Sequence, residues 1–289
     1  QRKHQHQQAG RRDRSRCDAA AVALAVLAAA GPSHSLTAGI VTTIADSGVG
    51  SLRAAISTAG NAEVITFALA LNGASITLTS GELSIAGRQL TIDASTLPAG
   101  IKISGNNNSR IFSITDSSNV TLNNLEVLNG NVNGNGGGIF VLVSQLNCVN
   151  ISIRNCVSSF DGGGLWANGV TGTIDRCSFV GNDCGGFGGG IFLLAATPEI
   201  ANSVISGNRS PNGGGITILS SSPAIINCTI QGNSGVGIQL EQSSAPNLRN
   251  TIVWGNRSGD GADQRASVLA ELVAARRHLS RRLARGRAG

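Results

Sequence analysis

A triple glycine followed by an aliphatic residue recurs through the middle of this 289-residue chain at a nearly fixed step. The copies are Gly136-Gly137-Gly138-Ile139, Gly162-Gly163-Gly164-Leu165, Gly188-Gly189-Gly190-Ile191 and Gly213-Gly214-Gly215-Ile216, with a degenerate one at Gly235-Val236-Gly237-Ile238. Successive copies lie 26, 26, 25 and 22 residues apart. A second motif keeps pace half a period away. It runs Cys177 to Asn182, Ser203 to Asn208, Cys228 to Asn233 and Thr251 to Asn256, each time ending in Gly-Asn. Two motifs locked to one period of about 25 residues imply a solenoid, in which each repeat is one coil and neighbouring coils bury each other's core.

The residues between the motifs define the coil. Ile139-Phe140-Val141, Ile191-Phe192-Leu193, Ile216-Thr217-Ile218 and Ile238-Gln239-Leu240 alternate apolar positions with a free one, the pattern of half-buried strands. No helical periodicity fits inside a repeat. Gly and Asn at fixed offsets supply the positive φ and the close approach that tight corners require, and stacked asparagines form amide ladders between coils. The expected architecture is all-β: a single right-handed parallel β-helix with a short N-terminal capping helix.

The same grammar extends upstream with looser spacing, through Ile76-Thr77-Leu78, Leu83-Ser84-Ile85, Leu90-Thr91-Ile92, Ile101-Lys102-Ile103 and Val120-Thr121-Leu122. Residues 37–256 therefore hold roughly nine coils, a rod about 40 Å long at about 4.8 Å per coil. An open end exposes strand edges and an apolar bore. The segment from Ser51 to Ala59 is suited to cover it: Ser51 is an N-cap, and Leu52, Ala55, Ile56 and Ala59 share one helical face.

The stretch from Ile40 to Ile56, with its Ser51-Leu52-Arg53 helix start, followed by Ile65-Thr66-Phe67, resembles the opening of bacterial surface and secreted β-helix proteins, whose chains often begin with a CSLREA-type element. The Gly-Gly-x-Ile repeats and the Phe179-x-x-Asn182 match resemble the polymorphic outer-membrane protein repeat, on a pectin-lyase-like fold. Thr251 to Asn256 is similar to the last coil of large anchored members. The resemblance covers about three-quarters of the chain and implies export and display, in some members adhesion. The CSLREA hexapeptide itself is absent from this sequence, as are a sortase motif and an outer-membrane barrel pattern.

Both ends differ from the rod in composition. Residues 1–36 carry six basic and two acidic side chains, residues 257–289 eight and three, and residues 37–256 eight and eleven. The overall charge of +6 is therefore a property of the ends, and the rod offers no basic face or interleaved aromatics for nucleic acid. Arg11, Arg12, Arg14 and Arg16 before the apolar run Ala19 to Ala30 describe a secretory signal; an Ala-rich leader is the alternative. Residues 257–289 read either as a basic amphipathic membrane-surface helix carrying Leu269, Leu272, Leu279 and Leu283, or as a stretch translated in a foreign frame.

Between residues 37 and 256 there is no His or Tyr, and Lys102 is the sole Lys. That excludes Ser-His-Asp and Cys-His chemistry there and leaves carboxylates and arginines. Asp175 and Glu199, one coil apart and offset by two positions, fall about 8 Å apart on the outer face, within the range of inverting glycosidases; an ordinary solvated surface is the alternative. No metal-ligand spacing or cofactor motif is present. Cys156 and Cys184 are the one pair placed for a disulfide, and buried free thiols are the alternative.

If the aliphatics of each post-glycine strand face inward, the middle residue faces outward. Those residues are Phe140, Trp166, Phe192, Thr217 and Gln239, the first three an aromatic stripe in a chain with seven Phe and two Trp. Such a stripe is a platform for a polysaccharide or a cell-surface glycan, or else packs upon itself or beneath a loop. The expectation is a secreted or surface-displayed scaffold or adhesion module that binds carbohydrate, with a polysaccharide lyase or glycoside hydrolase of the pectin-lyase type as the alternative.

Overall fold

The alternating triplets become strands, and the sequence period becomes their register. In the computed structural model, which describes residues 39–257, Ile139–Leu142, Leu165–Asn168, Ile191–Leu194, Ile216–Leu219 and Ile238–Glu241 lie parallel, with Ile139 opposite Leu165, Leu165 opposite Ile191, Ile191 opposite Ile216 and Ile216 opposite Ile238. Leu83–Ala86 and Phe112–Thr115 complete a seven-stranded sheet. A nine-stranded sheet runs from Gly39–Val41 to Asn247–Arg249, and an eight-stranded one from Ser75–Thr77 to Ile252–Trp254. Each full turn of chain gives one strand to each sheet, which makes a parallel β-helix. The first turn contributes only Gly39–Val41 and a helix, and the last only two strands, so nine coils are reached in one sheet alone.

Inward side chains stack in continuous files. One runs Ile65, Ile92, Leu122, Cys148, Ile174, Ile200 and Ile225; another runs Ile103, Val127, Ile153, Phe179, Ile205 and Ile230, all within 2% exposure. Most positions in each file carry branched aliphatics of similar bulk, with Cys148 and Phe179 the departures.

The helix α1, Leu52–Thr58, occupies the place of a strand in the first turn. Ser51 caps it, its Oγ accepting from the Ala54 N–H at 3.1 Å, while Leu52 and Ile56 are buried and Ala55 and Ala59 pack against the core. Ala59 is its C-cap. Arg53 ties α1 to the next turn by donating to the carbonyls of Gly81 at 2.6 Å and Glu82 at 2.7 Å. Asp46 completes the clamp, accepting from Arg53, from the Thr79 and Ser80 N–H groups and from both their hydroxyls. Burial alone raises the Asp46 pKa, but the hydrogen bonds from Ser80, Arg53 and Thr79 and the Arg53 charge outweigh it and hold the carboxyl well below the usual range. A folded pKa beneath the unfolded value of about 3.9 gives stability that is complete above about pH 4 and is lost as pH falls through the folded value. Asp46→Asn is accordingly expected to melt below the parent at pH 7, with the gap narrowing steadily on acidification below pH 4. A gap that stays constant down to pH 2 in thermal scans would contradict this clamp.

The triple glycine combines three demands. The first of each set has positive φ: Gly136 +69°, Gly162 +66°, Gly188 +69° and Gly213 +76°. The second does not; its constraint is contact with the neighbouring coil. A Cβ on Gly163 lies 2.5 Å from the carbonyl oxygens of Asp183 and Gly189. The third turns toward the bore, where a Cβ on Gly164 meets the Gly190 oxygen at 2.6 Å. Positive φ thus belongs to the first glycine of each set, whereas close backbone approach is found at all three.

The Gly-Asn motif ends in a buried ladder. Asn182, Asn208, Asn233 and Asn256 are at most 2% exposed. Each Nδ2 donates to a carbonyl of the preceding coil, from Asn182 to Ile153, Asn208 to Phe179, Asn233 to Ile205 and Asn256 to Ile230. The Nδ2 of Asn182, Asn208 and Asn233 also donates to the Oδ1 of the next asparagine, at 3.0, 3.0 and 2.8 Å. Every amide is satisfied, which is what lets a polar file run through a core.

Of the two readings for Cys156 and Cys184, the structure shows buried free thiols rather than a disulfide. Cys184 stands opposite Ser158, two residues from Cys156, and Cys148, Cys156, Cys177, Cys184 and Cys228 are all free and buried. Burial pushes the thiols of Cys156 and Cys177 up to about 12, so they behave as small apolar side chains.

Candidate functional site

Phe140, Trp166, Phe192, Thr217 and Gln239 are aligned across the seven-stranded sheet, each between two inward residues of its strand. The rings stack. Phe140 and Trp166 have centroids 4.6 Å apart at 4°, and Trp166 and Phe192 6.3 Å apart at 10°. The Arg110 guanidinium extends the column, 4.9 Å over the Phe140 ring. It is held there by Glu82 and by the carbonyls of Asn135 and Gly136.

The stripe lies outside the bore cluster, yet most of it is covered. Trp166 is 8% exposed, Phe192 4% and Thr217 0%, and of the three rings only Phe140 is half-buried. The chain entering each strand folds back along its outer side: a Cβ on Gly162 lies 2.8 Å from Trp166 Cα, and one on Gly188 3.0 Å from Phe192 Cα. These entering segments bond to one another from coil to coil. Gly136, Gly162 and Gly188 donate to the carbonyls of Asp161, Phe187 and Asn212, and Asp161 and Phe187 donate to the side chains of Asn135 and Asp161. Trp166→Ala is therefore expected to cost about 3–5 kcal/mol of stability, to be read by urea denaturation.

A second outward file, overlooked in the sequence, runs beside the stripe. It consists of Leu142, Asn168, Leu194, Leu219 and Glu241, all half-buried. Its signal was present: each is two residues beyond a stripe residue and so on the same side of the strand. The two files form one largely apolar face. The Trp166 Nε1 within it is buried and has no hydrogen-bond partner.

Asp175 and Glu199 fall on the outer face of the nine-stranded sheet with the expected offset: Thr173 is opposite Glu199, and Asp175 is opposite Ala201. Asp175 is engaged, accepting from Asn202 Nδ2 at 2.7 Å and lying 3.5 Å from Arg176 Nη2; Glu199 is exposed. Among the described residues no group of three or more His, Cys, Asp or Glu side chains is placed to hold a metal ion.

Arg176 departs from its row. At this corner Asn124, Asn150, Asn202, Asn227 and Asn250 all have φ between 46° and 56°, and Arg176 takes the same conformation at 53°. The asparagines bond along the axis, Asn150 to Asn124, Asn227 to Asn202 and Asn250 to Asn227, and Arg176 interrupts them. Asn tolerates left-handed backbone better than Arg, and the exposed Arg176–Asp175 pair contributes at most about 1 kcal/mol. Arg176→Asn should therefore raise the melting temperature by about 2–4 °C, the equivalent of about 1 kcal/mol in a domain this size. A lower melting temperature would mean that the arginine has a structural role here.

No curated protein sequence matches the chain. Among solved structures, Jun a 1, the major allergen from cedar pollen, is similar at 15% identity with a TM-score of 0.43, over 76% of this chain and 80% of that one. The family model for the right-handed β-helix region matches residues 110–270, more than half of the sequence. This chain belongs to the right-handed β-helix family.

Proposed function

We propose that this protein is an exported scaffold or adhesion module that holds carbohydrate against the outer face of the seven-stranded sheet. The observation that carries the reading is the column of Phe140, Trp166 and Phe192 on that face, flanked by Leu142, Leu194 and Leu219. An apolar file beside stacked rings suits the apolar faces of sugar rings, and Phe140 is the ring open enough to be met first. Export and display rest on the resemblance to CSLREA-type and polymorphic outer-membrane β-helix proteins and on the basic, then apolar, sequence of residues 1–36, which lie outside the described residues. The lyase or hydrolase alternative has less support, because the Asp175 carboxylate is committed to Asn202 and Arg176.

The test uses a variant that the fold already accommodates. Ser84 and Ser113 occupy the Phe140 position on the two preceding coils. Phe140→Ser is expected to keep the fold and to weaken binding on an immobilised glycan panel at least tenfold, about 1.4 kcal/mol. Equal binding by both proteins, or none by the parent, removes the carbohydrate reading. Release of reducing ends or unsaturated products by the parent, abolished in Asp175→Asn, replaces it with the enzyme.

A further inference from the structure

The polar atoms of the same face point to how it selects what it holds. Buried indole N–H groups ordinarily find an acceptor, and the indole nitrogen is a donor only. Trp166 Nε1 has none. An unpaired buried donor is a net loss for the fold. A phenylalanine would preserve the ring column, as Phe140 and Phe192 do on either side, without that loss. Two residues along the same strand, Asn168 also faces outward and is half-buried. The strand Leu165–Asn168 therefore carries a polar group at both outward positions, about 7 Å apart. The neighbouring strands carry Phe140 and Leu142 on one side and Phe192 and Leu194 on the other. A polar file one strand wide runs between two apolar ones.

We propose, resting on the carbohydrate reading above, that Trp166 is the specificity-determining residue of this face, its indole N–H donating to a ligand oxygen while Phe140 and the neighbouring leucines meet the ligand's apolar surface. The matching ligand chemistry is a glycan with a hydroxyl, ring or carboxylate oxygen at the edge of an apolar ring face, with Asn168 answering a second polar group one strand-step away. Solvent does not reach Nε1 in this arrangement, so binding includes displacement of the group that covers the indole edge.

The experiment compares the full chain with Trp166→Phe, using cellohexaose, chitohexaose and hexagalacturonate as probes. Trp166→Phe is expected to melt within a few degrees of the parent and to lose at least tenfold in affinity for whichever hexasaccharide the parent binds. In the parent, 15N-indole labelling gives two resonances, from Trp166 and Trp254, and the Trp166 N–H is expected to move downfield on titration while Trp254 stays in place. Parent-like affinity in Trp166→Phe, or a Trp166 resonance unmoved at saturation, overturns the proposal and leaves the carbohydrate reading standing. A parent that binds none of the three hexasaccharides removes both.

Discussion

Replacing Gly189 with valine is expected to destabilise the rod by at least about 3 kcal/mol, a fall of roughly 6–12 °C in melting temperature at about 2–4 °C per kcal/mol. The reason is contact rather than conformation, since Gly188, not Gly189, carries the positive φ of this corner. A Cβ on Gly189 lies 2.3 Å from the Arg209 oxygen, 2.7 Å from the Arg209 carbonyl carbon and 2.7 Å from the Gly214 oxygen. All three are backbone atoms of the next coil, so no side-chain rotamer relieves the clash. The coils must separate, and with them the hydrogen bonds from the Gly188, Gly189 and Gly190 N–H groups to that coil. Overpacking of this kind costs about 1–3 kcal/mol even where side chains can yield. Gly232→Asn is the control. That glycine has φ +61° and nothing within 4 Å of a Cβ, and asparagine accepts its conformation, so the change should stay within about 1 kcal/mol. Equal melting of Gly189→Val and parent would show that coil spacing is not set by glycine at this corner.

The second large effect is expected from Asn208→Leu, at about 3–5 kcal/mol by urea denaturation. Leucine keeps the branching and heavy-atom count of asparagine but is bulkier, so the lost hydrogen bonds are joined by some overpacking of this closed site. Asn208 Oδ1 accepts from the Asn182 backbone N–H at 2.9 Å and from Asn182 Nδ2 at 3.0 Å, and Asn208 Nδ2 donates to the Phe179 oxygen at 2.9 Å. Without it the Asn182 N–H remains buried and unpaired, at about 1–3 kcal/mol, and the Phe179 carbonyl and the Asn182 side-chain amide each lose a bond. Asn233→Leu should act similarly, and the double variant should lose less than the two combined, because the singles share the Asn208–Asn233 bond. A near-neutral Asn208→Leu would mean that water or a backbone shift meets those groups.

Both effects were largely legible in the sequence, because a solenoid converts spacing into neighbourhood. The steps of 26 between Gly137, Gly163 and Gly189 are the steps between coils. The offset of Asp175 from Glu199 follows from the same count. The files of inward aliphatics follow from alternation. Exposure was less legible. Alternation states which side of a strand Trp166 occupies, but not whether another segment crosses that side. The covering segments are held by Asn135, Asp161 and Phe187, three different residues at one coil position, which share no repeated spelling. The commitment of the Asp175 carboxylate was hidden for a similar reason. Arg176 sits 26 residues from both Asn150 and Asn202, but the diversion of Asn202 onto Asp175 is a choice of rotamer, not of spacing. The two-residue stagger of Cys156 and Cys184, by contrast, follows from the repeat spacing, and the structure keeps it with both thiols free.

The ladders also determine how the molecule carries load. The covalent chain crosses from one coil to the next once per turn, and every other link along the axis is a hydrogen bond or a packing contact. Tension applied between the two ends therefore acts on the coils in series, like fuses on one line. Each coil that yields releases its own length of chain, about 26 residues or roughly 90 Å when extended, while the coils on either side keep their registers and their bores. Extension proceeds in discrete steps and dissipates work at each one. A rod of this kind can lengthen many-fold while its covalent chain stays intact.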